Sequence, residues 1–233
     1  MHEGWQTLTD RMAYWIDLDA AYITYKNEYI ESVWWAIKQI YDKGLIYRGF
    51  KIVPQSPTIE TPLSSHELSL GYKEVKDPNC YIKVKIQSCP QKELIGKEIL
   101  VWTTTPWTLI SNVAMAVGSD IEYVLVRNTR VMISGDTKET VTDELVMAKA
   151  RMEMLDGDAE ILMTFTGNEL IGTVYEQIFE FLPIDREKYP NALTVLTGDF
   201  VSTEDGSGVV HIAPAFGQDD YEMSRKFNLP FLQ

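Results

Sequence analysis

Cysteine, histidine and basic residues are all scarce in this chain of 233 residues, and each shortage removes a class of protein. Two cysteines, Cys80 and Cys89, are too few for a disulfide framework or a Cys-rich zinc site, and the three histidines are scattered. Reduced thiols and no structural metal are therefore expected. No apolar run approaches the ~18 residues of a membrane span, and the opening Met1-His2-Glu3-Gly4-Trp5 lacks the basic-then-apolar order of a signal peptide. The expectation is a cytoplasmic protein without membrane contact. With 21 basic against 34 acidic residues the net charge is −13, which argues against tight, autonomous nucleic-acid binding, because such affinity comes mainly from phosphate neutralisation. Any nucleic-acid partner must be held largely by something else.

What is present is enough apolar residue, 45%, for a substantial core. Ile30, Val33, Trp34, Ile37, Ile40 and Tyr41 recur at helical spacing and Gly44 follows, which predicts a helix over 26–43. Arg11 to Tyr25 reads as helix or irregular structure packed on it, and Leu45 to Val53 as a short strand broken by Pro54 and Pro57. From Tyr81 onward short alternating segments take over: 82–86, 99–102, 113–117, 123–127, 131–133, 161–165 and 209–212. Strands of that length between Gly, Asn and Asp turns predict a barrel-like antiparallel sheet. One helix is expected to interrupt them, capped by Thr142 and running through Leu145, Ala148, Met152 and Leu155 to Gly157. Another is expected to begin near Gln218. The fold class is α+β, and the change of composition at Thr58 to Asp77 suggests a helical connecting segment over 1–70 and a β-rich domain over 71–233.

Two stretches carry more chemistry than strands need. In Trp102-Thr103-Thr104-Thr105-Pro106-Trp107-Thr108, proline cannot donate to a ladder, so the threonines fall at a strand end, with Thr103 and Thr105 on one face. At least two hydroxyls can converge on one ligand. In Gly206-Ser207-Gly208-Val209-Val210-His211-Ile212-Ala213-Pro214-Ala215-Phe216-Gly217-Gln218-Asp219-Asp220-Tyr221, a turn leads into a buried strand with His near its end, a glycine, and two acids opening a helix. A lone His is usually a core residue and one Asp would suffice as a cap. The surplus of each, beside three threonines, points to a ligand with a cation and several hydrogen-bonding oxygens.

These two stretches, with Asn112, closely resemble the signature segments of the editing domain of isoleucyl-tRNA synthetase. Thr105 and Trp107 are similar to the isoleucine branch, whereas relatives for valine and leucine carry Thr-Thr-Arg-Pro. Glu31-Ser32-Val33-Trp34-Trp35, Lys43-Gly44-Leu45-Ile46-Tyr47-Arg48 and Pro62-Leu63-Ser64-Ser65-His66-Glu67 also resemble the approach to that inserted domain. Ile110-Ser111 departs from the Pro-Ala or Pro-Ser usual before Asn112. The His-x-Gly-His and Lys-Met-Ser-Lys-Ser motifs of the class I catalytic domain are absent, so the resemblance is to an insertion and not to a whole synthetase.

The resemblance implies a β-barrel-like editing fold of the valyl, isoleucyl and leucyl type on a helical stalk. It implies hydrolysis of the ester of misacylated Val-tRNA(Ile). Valine lacks one methylene of isoleucine, a difference that a binding pocket resolves by only ~10–200-fold, the isoleucine enzyme being the standard illustration. The expected catalytic residues are Thr103, Thr104, Thr105 and Asp220, the last as the carboxylate for the α-ammonium. The expected substrate-binding residues are Trp102, Thr108, Asn112, His211, Ala213 and Asp219, with His211 as pocket wall and the general base as its lesser alternative. No metal or cofactor is implied here, ATP and Mg2+ belonging to the catalytic domain. Expected partners are the valine-bearing 3′ end of tRNA(Ile) and the other domains of the parent synthetase, the chain itself being a monomer. The alternatives are a non-catalytic acceptor-end binding module and a small-molecule hydrolase, the latter disfavoured because no nucleophile and base stand at a recognisable spacing.

Overall fold

The computed structural model describes residues 2–14, 16–17, 20–134 and 137–233. They fall into two compact units, Met1–Lys51 and Ile52–Gln233. The first contains helices α1 (His2–Arg11) and α2 (Asn27–Asp42), the latter on the expected apolar repeat. Gly44 follows at φ +70°, and its N–H closes on the carbonyl of Tyr41, which ends the helix where glycine alone is unstrained. Residues 45–53 form no strand, contrary to expectation. Their β-prone residues lack a sheet to join, and Leu45, Ile46, Tyr47 and Val53 stay exposed.

The second unit opens with a minimal hairpin, β1 (Gln55–Ser56) and β2 (Thr61–Pro62), and a short helix α3 (Ser65–Gly71). Ser64 caps α3: its hydroxyl accepts from the Glu67 N–H, while the Glu67 carboxylate accepts from the Ser64 N–H. The strands β3 (Cys80–Ser88), β4 (Glu98–Thr103), β5 (Ala114–Val117), β6 (Glu122–Ser134), β7 (Thr137–Ala148), β8 (Asp158–Thr166), β9 (Val174–Tyr175), β10 (Val195–Thr197) and β11 (Val209–Ile212) then precede helix α4 (Gln218–Phe227). They form a six-stranded sheet in the order β8-β6-β7-β4-β3-β9 and a three-stranded sheet in the order β10-β5-β11. The α+β class is as expected, and the sheets are not closed into a barrel. Isolated hydrogen bonds link them instead: Tyr175 N to Leu193 O and Val195 N to Thr173 O on one side, Ala148 N to Ser207 O on the other.

The sequence reading is corrected at Thr142 to Gly157. Thr142–Ala148 is the second half of β7, paired residue for residue with β6 from Thr142↔Thr129 to Ala148↔Tyr123. A strand covered on both faces reads as a continuous apolar run, and this one mimics a helical spacing by coincidence. Val146 and Ala148 face the core between the sheets. Leu145 and Met147 face outward beneath Met152 and Met154 of the 3-10 turn Lys149–Met154 and Leu155 just after it. The expected strands 123–127 and 131–133 are one long strand, β6.

Apolar burial explains the order of layers. Ile86, Val101, Tyr123, Val146 and Phe165 of the large sheet meet Met115, Val117, Val195 and Val209 of the small one. On the far face of the small sheet, Ala114, Ala116 and Ile212 pack against Met223 of α4. Removing such surface from water contributes about 25 cal/mol per Å², and it fixes where the ends of β4 and β11 come to rest.

Candidate functional site

The site forms where a strand end from each sheet converges. β4 delivers Trp102 and Thr103. Pro106 then opens the 3-10 segment Pro106–Ser111, so the chain turns and brings Thr105 and Thr108 back beside Thr103. The Thr105 N–H donates to Thr103 Oγ1 at 3.0 Å, and the hydroxyls of Thr103 and Thr105 stand 3.3 Å apart; the strand ends at Thr103, so it is this turn and not strand alternation that brings the two hydroxyls together. Thr108 Oγ1 donates to the Thr105 carbonyl at 2.8 Å and lies 3.2 Å from Thr105 Oγ1. From the other sheet, β11 places His211 Nε2 at 3.1 Å from Thr108 Oγ1. The ladder fixes His211 opposite Met115 of β5.

Asp220 enters from α4. The helix starts from Gly217 with no side-chain cap hydrogen bond, so Asp220 does not act as its cap. Its Oδ2 instead accepts from the Ala213 N–H at 3.0 Å, folding the carboxylate back over the end of β11. Gly217 allows that approach: a Cβ there would lie 2.9 Å from the carboxyl carbon. Gly206 plays the matching part on the opposite wall. It has φ +71°, and a Cβ would stand 2.7 Å from the Trp102 indole, so the turn before β11 can lie flat on the ring only as glycine.

Together these residues line a cavity of about 370 Å³. Trp102, Thr103, Thr104, Thr105, Thr108, His211 and Asp220 of the expected set are on its wall. Trp107, Val210, Phe216 and Gly217 complete it, and of these Trp107 and Gly217 stood out in the sequence. Three expected binding residues are placed elsewhere. Asn112 is buried, donating to the Ala114 carbonyl at 2.9 Å and accepting from the Tyr175 hydroxyl at 2.7 Å, so it fastens the end of the threonine segment to the core. Ala213 reaches the site through its N–H alone. Asp219 is exposed and faces the opposite side of α4, beside Gly198 and Lys226. Tyr175 and Arg151 lay outside the sequence reading because their roles depend on distant chain. The Arg151 guanidinium donates to the carbonyls of Gly206 and Glu204, holding the turn against Trp102.

Burial sets the charges. Desolvation pushes the Asp220 carboxyl up from 3.8 to about 6, opposed by the Ala213 hydrogen bond and assisted by the like charge of Asp219. No cation among the described residues offsets it. Desolvation lowers His211 from 6.5 to about 4, so the imidazole is neutral near pH 7. The wall thus offers neutral hydroxyls, a neutral ring and one carboxylate without a counter-ion. Among the described residues no group of three or more His, Cys, Asp or Glu could hold a metal ion. A larger hollow of about 590 Å³ in the first unit, lined among others by Tyr22, Lys26, Glu28, Tyr29 and Ser32, has no histidine or threonine, and its carboxylate stands with a lysine on the same lining. No described helix is long and apolar enough to cross a membrane.

Comparison with known proteins gives the family. Residues 1–207 match the profile of the tRNA synthetases class I (I, L, M and V), and the chain belongs to that family. The match ends before His211 and Asp220, so it stands on the front of the chain and the threonine segment. Curated relatives extend further. The chain is 44% identical to the isoleucine–tRNA ligase of Clostridium acetobutylicum over 228 residues, 98% of this chain and 20% of that protein. It is 40% identical to that of Thermus thermophilus and 39% identical to that of Picrophilus torridus, covering 98% and 99% of this chain and 20% of each relative. The chain therefore spans about a fifth of the length of the relatives it matches. Among solved structures, the editing domain of the P. knowlesi cytosolic leucyl-tRNA synthetase overlaps 64% of this chain and 63% of its own, with 14% identity and a TM-score of 0.47.

Proposed function

We propose that this chain is the editing domain of an isoleucine–tRNA ligase, hydrolysing the ester that joins valine to the 3′ end of tRNA(Ile). The observation that carries the reading is Asp220: a desolvated carboxylate, without a cation, on the wall of a cavity rich in hydroxyls. A buried charge of that kind needs a partner, and the α-ammonium of an aminoacyl ester supplies one. Water adds to the ester carbonyl, the bond to the ribose oxygen breaks, the ribose oxygen takes one of the water's protons, the other passes to solvent, and valine leaves as its carboxylate. Thr103, Thr104 and Thr105 hold the water, the ester oxygens or the terminal ribose. An aminoacyl ester is already activated, so positioning and donation to the developing oxyanion suffice without a nucleophilic side chain.

His211 closes the amino-acid end. Overfilling a packed pocket by a methyl group costs ~1–3 kcal/mol, the order required to exclude isoleucine. The net charge of −13 opposes phosphate binding, so the tRNA end is delivered by the other domains of the parent synthetase, where ATP and Mg2+ act. The place of work is the cytoplasm, as a single copy. The test is deacylation of valyl-tRNA(Ile) by the chain and by Asp220→Ala. Hydrolysis falls about thirtyfold or more in the variant, the order of 2–5 kcal/mol for truncating one partner of a buried charge pair, with the fold retained. Equal rates for the two proteins overturn the reading.

A further inference from the structure

The hydroxyl of Thr108 has a single proton, and its surroundings leave one place for it. The Thr105 carbonyl at 2.8 Å can only accept, so Thr108 donates there. Toward His211, at 3.1 Å, the same oxygen can then only accept, which puts the imidazole proton on Nε2. Nδ1 is left as a bare lone pair. It is buried, with no hydrogen-bond partner, which is tolerable for a lone pair and costly for an N–H. Both nitrogens are thereby withdrawn from the cavity: Nε2–H is engaged by Thr108, and Nδ1 is sealed in protein. His211 is 7% exposed and lies on the wall of the cavity.

We infer that Thr108 is a positioning residue for His211, fixing the tautomer and the place of the ring so that the cavity has a rigid, neutral wall at its amino-acid end. The size limit on the substrate then depends on Thr108 although it acts through another residue. Thr108 is itself held from behind, because the Thr105 carbonyl that takes its proton belongs to the segment turned by Pro106. On this inference His211 serves as wall and not as general base, since a base offers a lone pair to the water and here Nε2–H is engaged by Thr108 while Nδ1 is buried.

The inference rests on the proposed editing function only for its consequence in rate, so it is tested in two arms. In the first, the 15N-labelled chain is followed by 15N chemical shift at pH 7, where three histidines make His211 assignable by His211→Gln. Wild type shows His211 with a protonated Nε2 and an unprotonated Nδ1. Thr108→Val, equal in shape but without an acceptor, moves His211 away from that pattern, Thr108→Ser restores it, and the signals of His2 and His66 do not change. A Thr108→Val spectrum with the wild-type His211 pattern overturns the inference, as does a wild-type ring protonated on Nδ1. In the second arm, hydrolysis of valyl- and isoleucyl-tRNA is compared. Thr108→Val narrows the preference for valine by about tenfold, the order of one methylene's worth of discrimination, and Thr108→Ser keeps it. Unaltered discrimination in Thr108→Val contradicts the inference. If wild type hydrolyses neither ester, the proposed function fails, and the spectrum alone decides the role of Thr108.

Discussion

Helices α2 and α4 carry similar apolar stripes and meet opposite fates. α4 lays Met223 against Ile212 and Ala114, and by docking there it carries Asp220 to the cavity. α2 is longer, at 16 residues, and richer in aromatics, yet none of its residues is buried, with Trp34 and Trp35 exposed by 65% and 66%. The contrast extends to the two units: no described residue of the first is buried, whereas the second has a continuous core between its sheets. A helical apolar repeat states which side is to be covered, and only the chain lying against it decides whether it is. This chain spans about a fifth of its relatives' length.

Substitutions sharpen that contrast in order of size. Leu145→Ala, in the fully buried outer core of the large sheet, lowers stability in urea unfolding by ~2–5 kcal/mol, the range for emptying a packed aliphatic site. A loss below about 1 kcal/mol there erases the difference between the units. The Asp220 carboxyl gives a smaller effect that depends on pH. Its folded pKa of about 6 lies above the ordinary 3.8, so its contribution is fully present below about 3.8 and is lost as pH rises through 6. Asp220→Asn, which keeps the acceptor for Ala213 N–H, therefore raises stability by ~1–3 kcal/mol at pH 7.5, after discounting for partial solvent contact, and by about nothing at pH 3. Thermal melts at the two values check it, and a gain independent of pH refutes it. His211 has the opposite sign, its contribution being present above 6.5 and lost as pH falls through 4, so the two groups oppose each other across the acid range. Smallest is Trp34→Ala, expected within ~0.5 kcal/mol of wild type by the same unfolding assay. A loss of core size there would show that α2 is held by contacts of its own.

The alternating strands were legible in the sequence because one face of each meets the core, as in Ile82 to Ile86. β7 was not legible, because Leu145 to Ala148 are covered on both faces and alternation vanishes. Both halves of the site were visible as local surpluses of hydroxyl, imidazole and carboxylate. Their meeting was not, since Thr108 and His211 are separated by more than a hundred residues and are joined only by the stacking of the two sheets. Asn112 and Asp219 show the limit from the other side. Asp219 adjoins Asp220 and Asn112 closes the segment that carries Thr108, but a helix and a 3-10 segment turn these two side chains away from the cavity.

The central claim is that one cavity, with Asp220 for the ammonium and His211 for the wall, admits valine esters and rejects isoleucine esters. It is tested most directly by the rates at which this chain and His211→Ala hydrolyse valyl-tRNA(Ile) and isoleucyl-tRNA(Ile) under identical conditions. The account predicts that the wild-type chain cleaves the valine ester faster by about tenfold or more, the order of one excess methyl group in a packed pocket, and that His211→Ala closes the gap by gaining activity on isoleucine. Equal wild-type rates on the two esters, or a variant that still rejects isoleucine, contradict it.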